Sequence, residues 1–227
     1  MKYKGIIFDL DGTIVDTVPL WDRASRHLLE RRGVVLTPEI LKELEARAHS
    51  LGVLQSSAAI KDMFKFDEPA ELLAEEKVAH VMALYRQGLS FIEGFEEFHT
   101  KVVARDLHRA IATNADDTTI HTTNEALNLK RFFGEHIYGL SSVNNICKPN
   151  PAVYLRAVES LRLEPHECIA IEDSRPGVEA ARNAGLFCIG INTGKDVQRI
   201  KDADIIIEHY NEIDIEALIN KTISKKR

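Results

Sequence analysis

The sequence is poor in several features that would fix its class at once. It has only three cysteines, Cys147, Cys168 and Cys188. Their odd number, wide spacing and lack of a C-x-x-C pair argue against a disulfide framework or a zinc cage, and a reducing, cytoplasmic setting is expected. There is no surplus of positive charge: 29 Lys and Arg stand against 35 Asp and Glu, a net charge of −6 at pH 7. That balance gives no general electrostatic drive toward nucleic acid or an anionic membrane. No apolar stretch approaches the roughly 20 residues that span a bilayer. The first apolar run, residues 6–8, ends at Asp9, well short of a signal-peptide core, so a soluble protein is expected. The nine histidines include no His-Glu-x-x-His pair, and no G-x-S-x-G elbow is present, so neither a zinc protease nor a serine hydrolase of that type is indicated. The segment 190–196, Gly-Ile-Asn-Thr-Gly-Lys-Asp, lacks the spacing and the hydroxyl of a nucleotide-binding P-loop and reads as a turn. The basic stretch 221–227 reads as a solvated end.

What remains is ordinary globular material, 44% hydrophobic and 28% charged in 227 residues. That length suits one α/β core plus a smaller insertion. Short runs rich in β-branched residues recur at 5–8, 107–112, 168–171, 187–191 and 203–207. They show no polar alternation, as expected for parallel strands covered by helices on both faces. Helical patterns over 117–129, 151–161 and 176–184 separate the later strands. Between the first and second strands lies a long stretch with helical spacing only: Leu20, Ala24, Leu28 and Leu29, then 40–51, then 72–85. Thr37 and Pro38 supply a cap and a first-turn proline for the second of these helices. The expected organisation is a Rossmann-like α/β core from residues 1–16 and 92–227, with an all-helical insertion at 17–91 placed to act as a lid.

The richest chemical signal is Phe8-Asp9-Leu10-Asp11-Gly12-Thr13. It sets two carboxylates at the carboxyl end of a buried strand, where α/β sheets bind ligands. Strand alternation puts Asp9 and Asp11 on one side, and Gly12 permits the turn that follows. Two buried like charges so close need a bivalent cation or a retained proton, and Mg²⁺ suits hard oxygen donors. Taken alone, the pair also fits an acidic strand end opening a turn.

The opening run Phe8 to Asp16 resembles the first motif of the haloacid dehalogenase superfamily, and three later segments resemble its further motifs in the right order. They are Ile111-Ala-Thr113-Asn114, Lys148-Pro149-Asn-Pro151, and Ile171-Glu172-Asp173-Ser174 followed by Pro176-Gly177. The resemblance runs from Gly5 to about Gly194 and points to the branch of β-phosphoglucomutase and small sugar-phosphate phosphatases, in which a helical cap follows the first motif. It implies that Asp9 is the nucleophile, forming an aspartyl-phosphate, and that Asp11 is the general acid and then base. Lys148 is expected to neutralise charge on the transferring phosphoryl group. Thr113 and Asn114 are expected to bind phosphate, the latter through its backbone N–H. A Mg²⁺ site is implied at Asp9, the backbone carbonyl of Asp11, Glu172 and Asp173. Ser174 also reads as a helix N-cap, and Asp16 as a hinge residue. Trp21 could line the substrate pocket or pack between cap helices, and Arg47 and His49 fall where related caps contact substrate. Related mutases carry a histidine near the hinge; none lies between Asp16 and Arg26 here, which favours hydrolysis of a small phosphorylated metabolite over a mutase reaction. A non-enzymatic phospho-receiver is disfavoured by Asp11 and the sizeable cap. A monomer is expected.

Overall fold

A computed structural model describes residues 3–48 and 53–220, so His49 and the basic stretch 221–227 lie outside the described residues. Six strands form one all-parallel sheet in the order β3-β2-β1-β4-β5-β6. They are β1 Gly5–Phe8, β2 His108–Ala112, β3 Ile137–Tyr138, β4 Cys168–Glu172, β5 Phe187–Ile191 and β6 Ile205–Ile207. All four residues of β1 and all five of β4 are buried. The strand alternation explains the unbroken apolar runs. Ile6 and Phe8 enter a core with Phe95, Phe98 and Phe133 on one face, while Ile7 enters a second core with Ala110, Ala170 and Tyr154 on the other. Both faces are dry, so no polar position is left to alternate.

The helices are α1 Val18–Glu30, α2 Pro38–Ala48, α3 Val53–Phe64, α4 Ala70–Tyr85, α5 Phe95–Ala104, α6 Asp117–Leu127, α7 Lys130–Phe133, α8 Ala152–Ser160, α9 Arg175–Asn183 and α10 Ile215–Ile219. Four of them escaped the sequence reading: α7 and α10, only four and five residues long, and the longer α3 and α5. In α3 the buried side of the helix includes Ser56 and Ser57 beside Ile60, so the apolar period is weak. Helix α5 begins directly after Gly94, which has φ +82, and no span read from the sequence covers it. The helix expected over 117–129 stops at Leu127, because Asn128 takes φ +52 and returns its N–H to the Asn124 carbonyl at 2.8 Å. The strand expected over 203–207 is shorter for a similar local reason: Asp204 turns its carboxylate to accept from Cys188 N–H at 2.9 Å. Strand β3, two residues long, carried no apolar run to find. Thr37 caps α2 as expected, accepting from Ile40 N–H at 3.3 Å.

The chain divides into two compact units, Met1–Asp16 with Leu89–Arg227, and Thr17–Gly88. The first is the α/β unit. Within it the outgoing and returning chain segments lie side by side: Asp16 N–H donates to Ser90 O at 2.9 Å, Ile92 N–H to Ile14 O at 2.8 Å, and Val15 bridges Phe91. The second unit is helical and has a core of its own, Leu28, Leu29, Leu44, Ile60 and Leu73. Arg32, just after α1, pairs with Glu68 before α4 at 3.1 Å and with Glu76 on α4 at 2.9 Å. No helix among the described residues is long and apolar enough to cross a membrane.

Candidate active site

The strand order reverses between β1 and β4: the chain runs outward through β2 and β3, then returns to lay β4 against the other side of β1. Such a switch point opens a crevice at the carboxyl ends of the two strands. Asp9 is the first residue after β1 and is pinned there by its N–H to Ile171 O at 3.0 Å. Glu172 ends β4, and Asp173 follows it. The carboxylates of Asp9, Glu172 and Asp173 are all buried and offer oxygens within 4.8 Å of one another.

Lys148 is delivered to this cluster from the loop before α8. Its buried Nζ lies 2.5 Å from Asp9 Oδ1 and 2.6 Å from Glu172 Oε1. The loop is held by Asn114, whose Oδ1 accepts the Lys148 backbone N–H at 2.9 Å. Thr113, buried at the end of β2, accepts from Ala115 N–H at 3.1 Å through its hydroxyl oxygen. Gly12 sits at φ +79, and a Cβ there would collide with the Asp173 carboxylate, so the turn after Asp11 needs glycine on both counts. Thr193 fixes that turn by donating to Gly12 O at 2.6 Å, and Tyr210 donates to Thr13 O at 2.9 Å.

The electrostatics follow from burial. Desolvation pushes the Asp9 carboxyl well above the usual aspartate range; the Lys148 ammonium pulls it down, and Glu172 and Asp173 add to the rise. Desolvation likewise lifts Asp173 to about 7, against Arg199, whose guanidinium stands 3.7 Å from it. Burial works against the charge on Lys148, but Asp9 and Glu172 outweigh it, and the ammonium is held above the ordinary lysine range. Desolvation is the largest cause of both aspartate rises, and the carboxylates themselves raise Lys148. Three buried carboxylates share one close ammonium, so two negative charges stay uncompensated by it. Hard oxygen donors, a closed spacing and excess negative charge together fit a divalent cation.

The structure thus gathers Asp9, Thr113, Asn114, Lys148, Glu172 and Asp173 at the carboxyl end of one sheet. Asp11 lies on the turn beside them, half-buried. Trp21 stands on α1 of the helical unit, half-buried, and Arg47 is exposed on α2. Ser174 caps α9 as expected, accepting from Gly177 N–H at 3.2 Å, and its hydroxyl also donates to Glu172 Oε2 at 3.1 Å. Sequence reading missed Tyr154, fully buried on α8, whose hydroxyl donates to Glu172 Oε1 at 2.8 Å. Burial, then Glu172 and Asp9, raise its phenol well above the usual range, so it stays a donor. In sequence it was one more aromatic on an apolar helix face.

This arrangement is that of a hydrolase built on acidic strand ends, and the chain belongs to the haloacid dehalogenase-like hydrolases, a family that matches it over residues 6–191. Among its relatives, hexitol phosphatase A of Escherichia coli is 26% identical over 216 residues, covering 95% of each chain. A phosphorylated carbohydrates phosphatase of Thermotoga maritima is 28% identical over 199 residues, covering 85% of this chain and 88% of that one. In structure, the chain resembles a haloacid dehalogenase-like protein from Agrobacterium tumefaciens, with a TM-score of 0.80 at 21% identity over 97% and 99% of the two chains.

Proposed function

We propose that this hydrolase is a Mg²⁺-dependent phosphatase of small phosphoesters, sugar phosphates above all, working through an aspartyl-phosphate. The observation that carries the reading is the buried Lys148 ammonium bridging Asp9 and Glu172 beside Asp173. The sugar-phosphate class rests on the two phosphatase relatives above. A cytoplasmic location, a single-chain enzyme and no macromolecular partner complete the proposal.

In the first step an oxygen of Asp9 attacks phosphorus, and the bond from phosphorus to the ester oxygen breaks. Asp11 gives its proton to the departing oxygen, so an alcohol leaves rather than an alkoxide. Asp11, now ionised, takes a proton from water as that water's oxygen attacks the aspartyl-phosphate; the phosphorus–Asp9 bond breaks, and orthophosphate is released. Lys148 offsets the negative charge that gathers around the transferring group. The Thr113 oxygen already accepts from Ala115 N–H, so its own proton is available to a phosphate oxygen, as is the Asn114 backbone N–H. Asp9, Glu172, Asp173 and the backbone carbonyl of Asp11 would hold the cation, which when bound neutralises carboxylate and phosphate charge. The helical unit, with Trp21 as its first candidate, is assigned the recognition of whatever lies beyond the phosphate.

The purified protein should release phosphate from an aryl phosphate with Mg²⁺ and lose that activity in EDTA. Asp9→Asn should stay folded and inactive. Turnover undiminished in EDTA, or retained by Asp9→Asn, overturns the assignment. With a hexose 1-phosphate, orthophosphate should appear without the 6-phosphate isomer; formation of that isomer would instead assign a mutase.

A further inference from the structure

We propose that Tyr154 is a positioning residue that clamps Glu172, so that the Lys148 ammonium is aimed at Asp9. The inference rests on the phosphatase reading for its kinetic consequence and on the geometry alone for the clamp.

Glu172 Oε1 is a junction. It accepts Lys148 Nζ at 2.6 Å and the Tyr154 hydroxyl at 2.8 Å. The other oxygen, Oε2, faces Ser174, whose hydroxyl donates at 3.1 Å and whose N–H lies at 3.4 Å. Both ends of the carboxylate are therefore engaged, and its plane is fixed before any substrate arrives. The Lys148 nitrogen also stands 5.0 Å from the centroid of the Tyr154 ring, within range of a cation–π contact. One side chain thus touches the ammonium with its ring and the counter-ion of that ammonium with its hydroxyl.

The covalent connection makes the device compact. Lys148 lies on the loop entering α8, and Tyr154 lies in the first turns of that helix, so a single short segment supplies both the cation and the donor that orients its partner. Removing the hydroxyl leaves Lys148 as the only side-chain donor on Oε1 among the bonds described above. The carboxylate can then turn about its remaining anchor at Ser174, and the ammonium follows it away from Asp9. Tyr154 is also part of the apolar core with Val153, Ala157 and Ala170, so its bulk alone gives it a packing role. Tyr154→Phe separates the two roles, because phenylalanine keeps the volume and the ring face and loses only the oxygen.

The test compares wild type with Tyr154→Phe in two measurements. With Mg²⁺ and an aryl phosphate, kcat should fall by about 10- to 100-fold, the usual range for losing such an orienting partner, with KM unchanged. In site-resolved labelling by an amine-reactive reagent, read by mass spectrometry without substrate or metal, Lys148 should react faster in the variant. The buried Lys77 of the helical unit should react at an unchanged rate. Wild-type kcat in the variant overturns the proposal. So does a fall in melting temperature with Lys148 labelling unchanged, which would leave Tyr154 a packing residue. If the wild-type protein hydrolyses no phosphoester, the phosphatase reading fails, and the labelling comparison still decides the clamp.

Discussion

Asp173 shows how a single carboxyl can link pH, cation binding and stability. Burial lifts it to about 7, whereas in the unfolded chain it titrates near 4. Between those values the folded protein holds a proton that the unfolded chain has released, so stability falls as pH rises through this window. Asp9 shifts in the same direction. A divalent cation held by these carboxylates would replace the proton as their partner and would compete with it below about pH 7. The gain in melting temperature on adding Mg²⁺, relative to EDTA, should therefore grow from about pH 5.5 to about pH 8. A gain that is flat across this range would place the cation elsewhere. At this scale the sequence was informative where chemistry and position coincided. Asp9, Thr113 and Asp173 are polar residues at the ends of apolar runs, which marks them, and Lys148 is marked by Pro149 and Pro151 beside it. Tyr154 and Arg199 were invisible, since an aromatic on a helix face and a lone arginine carry no positional signal until the chain closes.

The packing of α9 on β4 shows the same contrast at the level of elements. Ser174 and Pro176 announce the start of α9, and Ser174 does cap it. The reason for the following glycine is tertiary. Gly177 has no positive φ, yet a Cβ on it would overlap the Glu172 carboxylate, which sits directly over the first turn of the helix. Glu172 cannot yield, because Lys148, Tyr154 and Ser174 hold it. Gly177→Ala should therefore push α9 off β4 and destabilise the protein by about 1–3 kcal/mol, as overpacking does, with loss of turnover. Urea unfolding measures this, and an unchanged midpoint would show that α9 can shift freely. The strands were legible because burial on both faces leaves them continuously apolar. Strand β3 was not, since two residues cannot show a pattern, and α3 was not, since Ser56 and Ser57 occupy its buried side.

At the scale of the whole molecule, the order of the chain and the partition of its cores lead to a stronger expectation. The α/β unit carries two apolar clusters, one on each face of the sheet, and their members fall outside residues 17–88. The helical unit buries Leu28, Leu29, Leu44, Ile60 and Leu73 in a cluster of its own. Among the described residues, no member of one unit's clusters comes from the other unit, as expected where each unit has an apolar core of its own. The chain also leaves and re-enters the α/β unit at neighbouring points, where Asp16 N–H meets Ser90 O at 2.9 Å. Closing that gap with a short Gly/Ser linker costs little entropy, because loop closure depends only weakly on loop length. A variant in which such a linker replaces residues 17–88 should fold cooperatively and keep Asp9, Lys148, Glu172 and Asp173 together. It should still gain melting temperature on addition of Mg²⁺. If the helical unit carries substrate recognition, the same variant should lose preference among sugar phosphates while still cleaving an aryl phosphate. Circular dichroism with and without Mg²⁺, followed by a phosphate-release panel, checks both statements. A variant that unfolds without a cooperative transition would show that the α/β core depends on the inserted helices, and an unchanged preference would move recognition into the core itself.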